Sequence, residues 1–140
     1  MGRQAKPGWY LFMEEELQKY YEHKAEFESL REAIIRSSGD TDMPVVNRKQ
    51  KNTSDVTQQK VFELRTNTRL RVLEETLKAI ETVHDSLDKQ KQTFVRMCWW
   101  EGRDQEAICD LLHISRSTFF RWCREIIEDI AKKRGLIDSL

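Results

Sequence analysis

The residues best suited to chemistry lie close together near the C-terminus, between Gln105 and Arg124. Guanidinium and hydroxyl groups bind base edges and phosphates, and the N-terminus of a helix favours phosphate. Side chains of these kinds lie at the start and along the outward face of one predicted helix, which indicates binding to double-stranded DNA at a promoter or operator. The predicted DNA-binding residues are Ser115, Arg116, Ser117, Thr118, Phe120, Arg121 and Arg124.

The apolar residues of the same stretch follow the pattern of a helix-turn-helix motif, in which two helices pack across a turn of three to four residues. The spacing predicts helices over 104–112 and 115–134, with Asp104 and Ser115 as N-caps. His113 stands where the motif normally takes glycine at positive φ, a region that histidine tolerates better than most residues. The positions of the pattern are occupied by Ile108, Cys109, Leu112, His113, Ile114, Phe119 and Trp122.

Phe120 is an aromatic residue in the middle of the outward face, and two interpretations of it stay open. It can pack on a thymine methyl group, or it can belong to the core of the module or contact the N-terminal helices. The apolar spacing alone would also fit an ordinary helical hairpin. Such a hairpin would not need three arginines on one outward face.

Charge is unevenly distributed over this region, although the whole chain has 24 basic and 24 acidic residues. Residues 101–115 carry a net charge of −3, from one arginine and four carboxylates. Residues 116–134 carry a net charge of +3, from six basic and three acidic residues. The sequence therefore favours a polarised module, with two solvated helix faces as the alternative.

No group of residues indicates an enzyme. The chain has three histidines, none within a carboxylate-rich or glycine-rich loop, and the GxGxxG, P-loop and HExxH motifs do not occur. Cys98, Cys109 and Cys123 are 11 and 14 residues apart, which fits no familiar zinc pattern. We expect no cofactor and no metal, and we expect the three thiols to be small buried groups in a reducing cytosol.

Hydropathy predicts a chain without a membrane-spanning segment. The mean hydropathy is −0.72 and charged residues make up 34%. The longest apolar run, Trp9–Met13, is far shorter than the ~20 residues that span a bilayer. No signal peptide is visible, so we expect a cytoplasmic protein.

The elements that position these residues are all predicted to be helices, which makes the fold class all-α. One long helix is predicted over 9–36, and a second over 55–87. A shorter helix over 89–100 precedes the two helices of the motif, and Gly135 is the expected C-cap of the last one. A loop over 37–55 separates the two long helices.

This order divides the chain into two modules. Residues 9–88 would form a helical hairpin for oligomerisation or partner binding, and residues 89–140 a three-helix module with the DNA-binding motif. The basic run at 47–54 lies in the loop of the hairpin. A solvated linker explains that run better than contact with DNA phosphate does.

The second long helix carries apolar residues at alternating steps of three and four, which is the pattern of a helix–helix seam. If the seam is open to a second copy, the chain self-associates through residues 9–87, and a dimer would read two DNA half-sites together. If the seam is buried within one chain, the protein is a monomer that depends on contact with RNA polymerase. The seam consists of Leu70, Leu73, Leu77, Ile80, His84 and Leu87, and its internal partners would be Tyr20, Tyr21, Phe27, Leu30 and Ile34.

The stretch from Gly102 to Lys132 resembles the part of sigma-like proteins that reads the −35 promoter element, chiefly through Ile114-Ser115-Arg116-Ser117-Thr118. Most of residues 9–137 resembles phage late-gene regulators of the RinA/ArpU type. The length, the stretch Glu63–Glu74 and the stretch Leu112–Trp122 carry this resemblance. It implies a phage or prophage activator in a bacterial host, which binds DNA before packaging, morphogenesis or lysis genes and acts with host RNA polymerase.

Two other classes of protein fit part of the pattern. A small terminase subunit for DNA packaging would also join a helix-turn-helix to oligomerising helices, but such subunits usually carry the DNA-binding end first. Here the predicted motif is last, as in sigma-like regulators. A helical interaction protein that binds no nucleic acid is the remaining alternative.

Overall fold

The computed structural model describes residues 6–39 and 53–138, and every regular element within these ranges is a helix. The all-α fold class is confirmed. The basic run 47–54, which was predicted to be a solvated linker, lies mostly outside the described residues. The helices are α1 (Gly8–Gln18), α2 (Tyr20–Gly39), α3 (Thr53–Ser86), α4 (Lys89–Val95), a π-helical segment (Arg96–Trp100) that continues α4, α5 (Gln105–Leu112) and α6 (Arg116–Arg134).

The prediction of one uninterrupted helix over 9–36 is wrong, because the helix breaks at Lys19. Lys19 has φ −93° and ψ 16°, and its backbone N–H donates to the carbonyls of Glu15 and Leu17. The Leu17 carbonyl also accepts a hydrogen bond from the indole Nε1 of Trp100 at 3.0 Å. A side chain that inserts into the backbone ladder is a known cause of a helix break. The other predicted helices begin and end within two residues of their predicted bounds.

The chain forms two compact units, one that joins the residues up to Glu22 to those from Glu75 onward, and one from His23 to Glu74. Residues 75–88 therefore lie in the same unit as the predicted DNA-binding helices. The functional division into 9–88 and 89–140 stays a prediction, because compactness does not report on binding.

Phe94 is at the centre of the larger unit and is fully buried. Its ring makes edge-to-face contacts with Trp99, Phe119 and Trp122 at centroid distances of 5.8, 5.2 and 5.4 Å. Such aromatic pairs contribute about 0.5–1.5 kcal/mol each beyond the burial of their area. One aromatic side chain thus holds α4, the π-helical segment and α6 together.

Arg134 fixes the far end of α6 to α3 within the same unit. Its Nε donates to Thr76 Oγ1 at 3.0 Å, and its Nη1 donates to Glu75 Oε2 at 3.1 Å. Gly135 follows with φ 84° and ends α6 as the predicted C-cap. With Phe94 near one end and Arg134 at the other, α6 has a defined orientation in the larger unit.

The predicted seam on α3 is buried in the single chain. Leu73, Leu77 and Ile80 have exposed fractions of 1, 6 and 1%, and Leu70 and Leu87 are half-buried. A second copy could reach these residues only if the helices opened, so the seam is not available as an association surface. Self-association itself stays a prediction.

The smaller unit contains a charge pair between its two helices. Arg69 donates two hydrogen bonds to the carboxylate of Glu26, at 2.8 and 3.0 Å. This guanidinium lowers the pKa of Glu26, chiefly through those hydrogen bonds. A bidentate pair of this kind specifies the alignment of the helices as well as their attraction.

Within residues 6–39 and 53–138, the helices are too short or too polar to cross a membrane.

Candidate nucleic-acid interface

The turn between α5 and α6 is built around a histidine in the left-handed region. His113 has φ 56° and ψ 46°, and it is the one residue other than glycine with positive φ among those that the structure describes. Positive φ at this position was predicted from its place in the motif. The turn closes because the Ile114 N–H donates to the Cys109 carbonyl at 3.1 Å.

The C-terminal end of α5 receives a further hydrogen bond from α4. Gln90 Nε2 donates to the Leu112 carbonyl at 3.0 Å, which satisfies one of the carbonyls that a helix end leaves without an intrahelical partner. The ammonium of Lys91 lies 5.5 Å from the centre of the Trp122 ring on α6. The first turn of α4 thus contacts both sides of the α5–α6 turn.

Ser115 is the N-cap of α6, as predicted. Its Oγ accepts a hydrogen bond from the Thr118 backbone N–H at 3.1 Å and lies 3.0 Å from Thr118 Oγ1. Two of the three predicted DNA-binding hydroxyl groups, those of Ser115 and Thr118, are therefore engaged with each other, and they shape the start of α6. Asp104 occupies the N-cap position of α5, but its carboxylate makes no capping hydrogen bond within the described part of the chain.

The inward face of the two helices is apolar, with Ile108 fully buried and Phe119 and Cys123 nearly so. Trp122 is half-buried beside them. Cys109, Leu112 and Ile114 are also half-buried, whereas His113 is exposed. The predicted pattern thus marks the inward face except at the turn.

The outward face of α6 is formed by side chains that recur at the helical period, one turn apart. The guanidinium of Arg116 lies 5.7 Å from the centre of the Phe120 ring, and the nitrogen of Arg121 lies 3.9 Å from Glu125. Surface pairs of this length contribute little, so the arginines are available to a partner. The exposed residues of this face are Arg116, Ser117, Phe120, Arg121 and Arg124.

Phe120 lies at the edge of the core and at the surface. Its ring meets Phe119 edge-on at 5.3 Å, and 45% of the residue is exposed. It also borders a cavity of about 650 Å³ between α1 and α6. Phe120 thus contacts the core and shares a cavity with α1, and its packing on a thymine methyl group stays a prediction.

The same cavity lies between α1 and the outward face of α6. Sequence reasoning missed this proximity. Trp9 and Tyr10 of α1 line the cavity together with Lys6, which precedes α1, and Arg124 lines it from α6. The Lys6 ammonium lies 5.0 Å from the centre of the Tyr10 ring. Burial raises the pKa of Tyr10, and Glu14 raises it further. No local signal marks these residues, because they are more than a hundred positions away from α6 in the sequence.

The face of α5 beside the start of α6 is acidic. Asp104, Glu106 and Asp110 line a groove of about 490 Å³ together with Arg116. Arg116 thus shares a groove with three carboxylates, whereas Arg121 and Arg124 do not line it.

Among residues 6–39 and 53–138, the structure contains no group of three histidine, cysteine or carboxylate side chains that could hold a metal ion.

Residues 15–132 match the model of a family described as "Protein of unknown function (DUF722)". No curated protein and no solved structure matches the chain.

Proposed function

The chain belongs to the DUF722 family, and we propose that it is a sequence-specific DNA-binding transcription regulator whose helix-turn-helix motif is formed by α5 and α6. The observation that carries this proposal is the outward face of α6, on which three exposed arginines lie within two and a half turns. The inward face of the same helix is held by Phe94 and Phe119. A rigid helix with an exposed basic face is what reading of the major groove requires.

Each residue of the face has a role in this proposal. Arg121 and Arg124 lie beyond the first turn and reach base edges, where a bidentate contact to guanine is the commonest specific contact. Arg116 and Ser117 lie at the helix start, where phosphate is favoured. Ser115 and Thr118 fix the first turn, and Phe120 packs on a thymine methyl group.

The family resemblance found in the sequence refines the proposal. A regulator of the RinA/ArpU type would be a phage or prophage activator of late genes in the bacterial cytoplasm, and it would act with host RNA polymerase. The position of the motif after the long helices supports this type over a small terminase subunit. The acidic face of α5 beside the basic face of α6 supports an orientation in which only one side of the module meets DNA.

The test is selection of bound duplexes from a random library by the full chain, followed by footprinting on the best sequence. We expect one recurring motif and a footprint that protects the major groove on one side. Binding that is lost to a tenfold excess of unrelated DNA, with no enriched sequence, would refute sequence-specific binding. Binding to neither library nor genomic DNA at low salt would refute DNA binding altogether.

A further inference from the structure

Two of the three thiols of the chain meet at one place in the larger unit. Cys98 is in the π-helical segment and Cys123 is in the middle of α6, and both line the cavity between α1 and α6. The two thiols interact with each other, and neither forms a disulfide. Cys109 does not line this cavity.

We propose that Cys98 and Cys123 form a site of reversible oxidation, at which a hydroperoxide converts the two thiols to an intramolecular disulfide. The cavity provides the access that the oxidant needs, because about 650 Å³ of open volume reaches both side chains. The proposal does not depend on DNA binding, so either can fail without the other.

The two thiols have different roles in this reaction. The interaction with Cys123 lowers the pKa of the Cys98 thiol, while the same interaction and burial raise the pKa of Cys123. Because the thiolate is the nucleophile, Cys98 is the thiol that attacks the oxidant. Burial and the carboxylate of Glu14 oppose this lowering of the Cys98 pKa, and Lys6, which lies on the same cavity, adds to it.

The chemistry balances in two steps. The Cys98 thiolate attacks one oxygen of the hydroperoxide, the O–O bond breaks, and hydroxide or alkoxide leaves and takes up a proton, which leaves a sulfenic acid on Cys98. The Cys123 sulfur then attacks that sulfenic sulfur as its proton is lost, the S–O bond breaks and hydroxide leaves as water. The two thiols supply two electrons, and the hydroperoxide accepts both.

The disulfide would join the π-helical segment covalently to α6. The link would close a loop that contains α5 and the whole turn, so the helix that carries the exposed arginines could no longer separate from the segment behind it. A cross-link of this kind raises stability mainly by restricting the unfolded chain. Reduction by a thiol would reverse it.

The experiment is oxidation of the full native chain by hydrogen peroxide at a low molar excess, followed by thiol counting and peptide mapping without reduction. We expect two of the three thiols to disappear, a mass loss of about two hydrogens, and a cross-linked peptide that contains Cys98 and Cys123. The matched control is Cys109→Ser, which should form the same disulfide at the same rate. If Cys109 is consumed as fast as Cys98, or takes part in the disulfide, the proposal is wrong.

Two further measurements keep the test independent of any folding defect. In guanidinium chloride the unfolded wild-type chain should give a mixture of disulfides. The Cys98–Cys109 disulfide should be favoured, because closing its shorter loop costs less entropy. The same pairing in native and unfolded protein would overturn the proposal. In Cys123→Ser, the sulfenic acid cannot be resolved, so dimedone should label Cys98, and labelling of Cys109 alone would contradict the assigned order.

Discussion

At the scale of single residues, the arginines of α6 carry the proposed readout of DNA. A good bidentate contact from arginine to guanine contributes about 1–3 kcal/mol of discrimination, so Arg121→Ala or Arg124→Ala should weaken specific binding by about 5- to 150-fold. Both side chains are exposed, so the variants should keep their helicity. Fluorescence anisotropy on the selected duplex, with circular dichroism in parallel, measures both effects.

The matched control for these variants is Arg71→Ala, which removes an exposed arginine from α3 and gives the same change in net charge. It should bind DNA as the wild type does. Arg121→Lys adds a second comparison, because lysine keeps the charge but cannot make the bidentate contact. If both alanine variants bind like Arg71→Ala, the outward face of α6 does not read DNA.

The pair of Arg69 and Glu26 predicts how the stability of the smaller unit depends on pH. The pKa of Glu26 is lower in the folded chain than its ordinary value of about 4.3. The carboxylate therefore contributes stability above that ordinary value, and this contribution is lost as the pH falls through the lowered pKa. In Arg69→Met, the pKa of Glu26 should return toward the ordinary value in an NMR titration.

Thermal unfolding checks the same prediction independently. Arg69→Met should be less stable than the wild type at pH 7. The difference should be smaller at pH 2, because protonation of Glu26 removes its attraction to Arg69. Arg65→Met, one turn earlier on an exposed position of α3, is the control. An equal difference at both pH values would mean that Arg69 acts through packing and not through charge.

At the scale of elements, the contact between α5 and α6 depends on one buried side chain. Ile108 is fully buried, and Ile108→Asp would place an unpaired carboxylate there, at a cost of several kcal/mol. We expect the larger unit to melt many degrees lower or to lose cooperative unfolding. Ala107→Asp introduces the same residue at an exposed neighbouring position and should change little. Equal melting of the two variants would show that Ile108 does not support the helix pair.

Local sequence determines much of this arrangement, and long-range packing determines the rest. The caps at Ser115 and Gly135 and the left-handed turn at His113 follow from residue type and spacing, so they were predictable. The break at Lys19 depends on the indole of Trp100, which is 83 positions from the carbonyl that it binds. Helical periodicity contains no information about such a contact.

The candidate site divides in the same way. The exposed arginines of α6 follow from its helical period, because the apolar residues fix which face is inward. The approach of Lys6 and Trp9 to that face depends on the packing of α1 against α6. The meeting of Cys98 with Cys123 also depends on packing, since their spacing in the sequence matches no motif.

At the scale of the whole molecule, zero net charge conceals a polarised module. The acidic residues of α5 and the basic residues of α6 lie side by side in the larger unit. Repulsion on one side and attraction on the other would orient DNA during its approach. A protein with an even charge distribution would lack this orienting effect.

Self-association is a further property of the whole molecule that would serve the proposed function. One module with about five contacts would read a short site, and specific regulators commonly join two modules to read half-sites about one helical turn apart. Because the α3 seam is buried, substitution of Leu73 or Leu77 by glutamate would unfold the chain and would not test a dimer. The large apolar side chains still exposed on α3 are Val61, Phe62 and Leu64.

We therefore predict a dimer that depends on Val61 and Leu64, which lie one turn apart on α3 and are 42 and 68% exposed. Light scattering over a concentration series should give a mass of twice 16.7 kDa for the wild type, and Val61→Glu with Leu64→Glu should give the monomer without loss of helicity. Leu11→Glu, at a position on α1 that is 53% exposed, is the control and should stay dimeric. A wild-type mass near 16.7 kDa at high micromolar concentration would remove the dimer and favour a monomer that binds DNA beside RNA polymerase.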